Sequence, residues 1–134
     1  MTTKVMITAA GLLLISTGFI AMQQPAKPWV APDKAAKTAN PVKSDAASLK
    51  EGKEIWGKHC QSCHGKTGLG DGTKAAQLKT DPGNFSQAAF QKDSDGAFFY
   101  KISEGRDDMP SFKKKLPDAE DIWNVVNYMR SFKK

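Results

Sequence analysis

The stretch Cys60-Gln61-Ser62-Cys63-His64 decides how this chain is read. Two cysteines three apart, with a histidine directly after the second, form the C-x-x-C-H pattern of covalent c-type haem attachment. On a helix, residues i and i+3 share a face, so both thiols can reach the two vinyl groups along one edge of a porphyrin. His64 follows at once and can bring its imidazole under the macrocycle as an axial ligand of iron. Cys60, Cys63 and His64 are therefore the candidate haem-binding residues, with His64 also a candidate metal ligand.

Two other chemistries use the same residue types. His59, Cys60, Cys63 and His64 could close a tetrahedral zinc site. Structural zinc sites usually draw on two separated pairs, however, and the chain has only these two Cys and two His. A Cys60–Cys63 redox disulfide of the thioredoxin type needs a βαβ setting, whereas the flanks here look helical, with no strand runs nearby. Both cysteines belong to the motif, so none is left for a structural disulfide.

Outward from the motif, the periodicity is helical. Leu49, Gly52, Ile55, Trp56, His59, Cys60 and Cys63 recur at helical spacing, which predicts a first helix from about residue 49 into the motif. Ser48-Leu49-Lys50-Glu51 reads as a capping box, Ser48 at the N-cap and Glu51 at N3. Ser94-Asp95-Gly96 starts a second helix, from Ala97 to about Glu104, with Phe98, Phe99 and Ile102 on its apolar face and Gly105 as its stop. A third covers about Asp118 to Phe132. It carries Asp118, Glu120 and Asp121 in its first turn, Arg130, Lys133 and Lys134 at its end, and the apolar stripe Ile122, Val125, Val126 and Met129. The glycine-rich stretch from Gly65 to Pro82 follows no strand and lacks P-loop spacing. It reads as a wrapping loop that needs positive φ, not as a phosphate cradle.

The motif and these helices make the second half of the chain similar to class I, single-haem cytochromes c. The resemblance implies an all-α cytochrome c fold, three main helices wrapped around one covalently bound haem c. It implies electron transfer between redox protein partners, a donor and an acceptor, with no small-molecule substrate: an electron carrier, or a subunit of a larger respiratory oxidoreductase, not an enzyme in its own right. In this family a helical glycine such as Gly52 lets the last helix cross closely against an aromatic residue, here Tyr128, with Trp56 nearby. A proline carbonyl downstream of the motif accepts the hydrogen bond of the ligand histidine, fixing the ring and raising its basicity; Pro82 is the candidate.

Met109-Pro110-Ser111-Phe112 matches the axial-methionine loop of the family, which makes Met109 the candidate sixth ligand beside His64. The other donors are less suited. His59 adjoins Cys60 and is held on the same side as His64. Met1, Met6 and Met22 lie in the N-terminal segment, and Met129 falls on the apolar stripe of the last helix. His/Met ligation raises the potential. The alternative is a haem sensor or small-ligand binder in which the sixth position is labile. Lys113-Lys114-Lys115 follows the Met109 loop and reads either as a solvated face or as a docking patch that steers an acidic partner.

The N-terminal third is different. Val5 to Met22 is an uncharged, mostly apolar run of eighteen residues, about 27 Å long as a helix. Residues 1–22 therefore read as an export signal or a membrane anchor. Either would place the domain on the periplasmic side of the bacterial inner membrane, anchored or secreted, as haem attachment in the family requires. Residues 23–45, with Pro25, Pro28, Pro32 and Pro41 among Ala and Lys, read as an extended, semi-rigid linker. Trp29 within it fits a solvated loop residue better than a partner contact. The cytochrome domain is expected over residues 46–134. Residues 1–44 hold five Lys and one Asp, while 45–134 hold fifteen Lys/Arg and thirteen Asp/Glu. The basic balance thus belongs mostly to the tail, and gives the domain no case for nucleic-acid binding.

Overall fold

The computed structural model describes residues 28–134; the expected signal or anchor of residues 1–22 lies outside them. Six α-helices follow in order among the described residues: α1 (Asp33–Ala36), α2 (Ala46–His59), α3 (Gln61–His64), α4 (Ala88–Gln91), α5 (Asp95–Glu104) and α6 (Ala119–Arg130), with a 3-10 turn at Ala75–Gln77 between α3 and α4. Among the described residues the β pairing is a single isolated bridge between Arg106 and Met109. The all-α expectation holds, and α2, α5 and α6 are the three main helices.

The start of α2 corrects the capping box. Asp45 is the N-cap, its carboxylate accepting from the Ala47 and Ser48 amides at 3.1 Å each. Ser48 cannot cap because it is only 6% exposed and its hydroxyl is committed across the domain. It donates to Asn124 Oδ1 at 2.7 Å and accepts from Asn127 Nδ2 at 2.8 Å, both on α6. Ser48→Ala strands the Asn124 oxygen in a buried site and leaves Asn127 Nδ2 with its Val42 partner alone, a cost of about 1–3 kcal/mol. Thermal unfolding should accordingly begin roughly 5–20 °C lower.

α2 and α6 cross where Gly52 meets the α6 backbone. A Cβ at Gly52 would lie 2.1 Å from the Asn124 carbonyl oxygen and 2.9 Å from Tyr128 Cβ. The glycine is needed for that approach, and Tyr128 is the aromatic residue beside it. Around the crossing pack Ile55, Trp56, Ile122, Trp123, Val125, Val126 and Met129, so the expected α6 stripe faces the core in full.

α5 starts where the sequence indicates, with Ser94 accepting from the Ala97 amide at 3.2 Å, and it ends at Gly105 with φ +69°. Its apolar face divides. Phe98 and Ile102 join the core, while Phe99 stacks on Trp123 with ring centroids 4.2 Å apart.

From Pro28 onward the linker reading is corrected. Residues 28–45 form a strap along α5 and the end of α6. Ala31 is buried, Ser94 Oγ donates to the Ala36 carbonyl at 2.6 Å, and Asn40 Nδ2 donates to Asn127 Oδ1 at 2.8 Å. Composition misleads here because most of the fastenings are main-chain carbonyls and small or polar side chains, with Trp29 and Val42 the only large side chains of the strap that the core or cavity takes up. Among the described residues, no helix is long and apolar enough to cross a membrane.

Candidate haem site

The C-x-x-C-H motif sits on a bend. α2 ends at His59, Cys60 turns the chain with φ −114° and ψ −38°, and α3 carries Gln61 to His64. The His64 amide donates to the Cys60 carbonyl at 3.0 Å, so the motif keeps one helical turn. Both cysteines, not joined in a disulfide, stand on the wall of a cavity of about 540 Å³. Burial, and next the neighbouring Cys63, push the Cys60 thiol up to about 12.

His64 is oriented from behind. Its Nδ1 donates to the Pro82 carbonyl at 3.0 Å, eighteen residues downstream. The ring stands against Phe85, centroids 5.1 Å apart, and against Trp56 at 5.8 Å. Trp56 is itself fixed, its indole N–H donating to the Gly65 carbonyl at 3.0 Å. Burial pulls the His64 pKa below its ordinary value, against the opposing pull of the Pro82 bond. A neutral imidazole bonded at Nδ1 keeps the Nε2 lone pair for a metal.

Pro82, Cys60, Cys63, His64 and Met109 all line the same cavity, so the structure brings together every site residue expected from the sequence. Met109 is half-buried in a tight loop closed by reciprocal backbone bonds, Arg106 amide to Met109 carbonyl at 2.8 Å and Met109 amide to Arg106 carbonyl at 2.9 Å. His59 and Met129 also reach the wall. The His59 ring faces Phe112 at 6.1 Å, and Met129 is buried in the core face of α6. Phe98, Ile102 and Phe112 complete an apolar interior. Sequence reasoning missed Phe85, which stands three residues after Pro82 and carries no periodic signal, and it missed Trp29, which lines the cavity from the strap.

The cavity fits a haem. Its volume lies within the range of about 300–1,000 Å³ for cofactor sites, and its lining is mainly apolar, with convergent donors and with charged residues such as Asp93, Lys101, Arg106 and Asp107. Two thiols, a neutral imidazole and a thioether are the donor set for covalent attachment and six-coordinate iron. Among the described residues, no three His, Cys, Asp or Glu side chains converge where a metal ion could sit, which leaves the zinc alternative without its donors.

The lysine run is only partly available. Lys113 pairs with Glu104 at 2.5 Å and Lys115 lies over the Phe112 ring at 5.5 Å, while Lys114 is exposed.

Residues 47–129 match the family described as cytochrome c oxidase, cbb3-type, subunit III. The fold resembles a component of the Kuenenia stuttgartiensis reducing HAO-like protein complex Kustc0457/Kustc0458, with a TM-score of 0.64 and 26% identity. That match covers 70% of this chain and 47% of the other, so this chain spans about half of that relative's length. The KustC0563 c-type cytochrome matches with a TM-score of 0.55 and 33% identity, over 62% of this chain and 98% of that one. No curated protein matches. With its attachment motif, histidine and cavity in one helical domain, the chain is a small c-type cytochrome domain and belongs to the cbb3-type cytochrome c oxidase subunit III family.

Proposed function

We propose that the domain is a single-haem electron-transfer module with His64 and Met109 as axial ligands, working in an exported redox chain. When bound, haem c supplies a one-electron ferric/ferrous couple. Cys60 and Cys63 hold it through two thioethers, His64 presents Nε2, and Pro82 holds the tautomer and ring angle through Nδ1. Met109 offers its sulfur from a loop closed by its backbone clasp and tied to α5 through Ser111 to Ser103 and Phe112 to Ile102. Haem-based electron transfer is the activity of the family; the ligand set and the exported setting are our reading.

The observation that carries it is the His64–Pro82 bond on the wall of the cavity that the thiols and Met109 share. The visible spectrum of the reduced protein, with and without carbon monoxide, tests it. An unchanged spectrum is expected, because protein atoms hold both axial positions. A prompt carbon monoxide complex would overturn the His/Met carrier in favour of a ligand-binding sensor.

Attachment gives a sharper prediction. Cys60→Ala and Cys63→Ala should each leave one thioether, and the double variant should lose haem on a denaturing gel stained for haem, where the wild type keeps it.

The partners we propose are redox proteins, as the complex that one structural relative belongs to suggests. The setting is the periplasmic side of the bacterial inner membrane, with residues 1–22 as signal or anchor; their apolar run supports it. Lys114 and its neighbours beside the Met109 loop would favour an acidic docking surface. Changing Lys113, Lys114 and Lys115 to Glu should slow association with such a partner at least several-fold at low salt, with little change in potential. An unchanged second-order rate in stopped flow would remove the lysines from docking.

A further inference from the structure

The strap lies outside the residues matched to the family, which begin at residue 47. It is nonetheless fastened at several points. Ser94 holds Ala36, while Asn127 takes Asn40 through Oδ1 and the Val42 carbonyl through Nδ2. Gly96 of α5 admits it, since a Cβ there would lie 2.1 Å from the Ala35 carbonyl oxygen and 2.6 Å from that of Thr38. These fastenings leave one end over the cavity, where Pro28 and Trp29 form part of its wall.

Trp29 is placed specifically. The Arg106 guanidinium lies 4.8 Å from its ring centroid and the Lys101 ammonium 5.8 Å. Both cations line the cavity, and both are paired with carboxylates, Lys101 with Asp93 and Arg106 with Asp107 at 3.3 Å. Next along, Val30 is 79% exposed and Ala31 is buried, so the chain turns one side chain out and the next in as it passes the rim. The indole covers one side of both cations, whose side chains stay 18% and 32% exposed, and closes off part of the space behind.

We propose that the strap is a cover for the haem cavity and Trp29 its closing residue, keeping the site dry and thereby favouring the reduced cofactor. The inference rests on the cavity being the haem site. Burial and local dielectric set haem potentials. A wetter site stabilises the ferric state, which carries one more positive charge. Trp29 thus acts without ligating the iron.

Three variants of the full chain test the cover. Trp29→Ala removes the closing ring. Gly96→Ala leaves the cavity wall untouched and favours α5 itself, but it collides with the strap carbonyls and unfastens the strap from beneath. Trp29→Phe keeps an aromatic cover. Haem retention is first checked on a denaturing gel, then the ferric/ferrous ratio is read at a fixed electrode poise, with amide exchange over residues 33–42 as the report on the strap. The expected result is that Trp29→Ala and Gly96→Ala each shift the ratio about tenfold towards ferric, about 59 mV for one electron. Trp29→Phe stays near the wild type, and strap exchange rises in Gly96→Ala. A haem-loaded Trp29→Ala with an unchanged ratio would overturn the proposal, as would a Gly96→Ala whose strap exchanges freely while the ratio holds. A wild-type gel band without haem would instead overturn the reading of the cavity.

Discussion

Met109→Ala is expected to lower the potential by on the order of 100 mV or more, a fraction of the ~0.8 V over which axial ligands act, and to open the iron to carbon monoxide. The thioether is a weak donor that stabilises ferrous iron, and water entering its place favours the ferric state. The fold should survive. Met109 is half-buried, and the bonds that close its loop run between backbone atoms of Arg106 and Met109, which alanine keeps. Met129 supplies the control, because it lines the same cavity. Met129→Leu conserves volume in the α6 core and should cost less than about 1.5 kcal/mol, with the potential and carbon monoxide refusal intact. The reverse pattern in redox titration, a silent Met109→Ala and a displaced potential in Met129→Leu, would transfer the ligand role to α6.

Gly52→Ala is expected to cost roughly 3–5 kcal/mol, a large part of the ~5–15 kcal/mol that holds a domain together. Its methyl group meets the Asn124 carbonyl oxygen at 2.1 Å and the carbonyl carbon at 2.7 Å. Backbone cannot turn aside as a flexible side chain can, so α2 and α6 must separate. Separation loosens the Ser48–Asn124 bond and uncovers Val125 and Val126, both 0% exposed. Gly57 on the same helix gives the opposite sign. A Cβ there meets nothing within 4 Å, so Gly57→Ala should stabilise by up to about 1 kcal/mol through helix propensity alone. Chemical denaturation of both haem-loaded variants measures the pair; a Gly52→Ala midpoint equal to that of Gly57→Ala would contradict the crossing.

The legible part of this protein was its chemistry and its long helices. C-x-x-C-H names its own neighbours, and the α6 stripe marks a core face because apolar residues at 3.6 spacing have one place to go. Pro82 was reachable by resemblance, yet the loop of Gly65, Gly68, Gly70 and Gly83, all at positive φ, had to fold back before the carbonyl met His64. Ser48 was misread because a hydroxyl near a helix start serves a cap or a buried network equally well, and only the arrival of Asn124 and Asn127 decides between them. The strap was hard to read because polar groups and main-chain carbonyls fasten most of it; Gly96, a glycine inside a helix, and Trp29, a lone aromatic in a Pro/Ala/Lys stretch, were the traces it left in the sequence.

The α2–α6 crossing also sets an order of events during synthesis. The thiols follow directly on α2, the first long helix among the described residues, and its packing partner α6 is the last. At about 5–20 residues per second, roughly 3–13 s separate the appearance of Cys63 from that of Arg130. Through that interval α2 has no α6 to bury against. Placing the two halves of the core at opposite ends of the chain therefore makes the crossing one of the last contacts to form, however early its first helix is made.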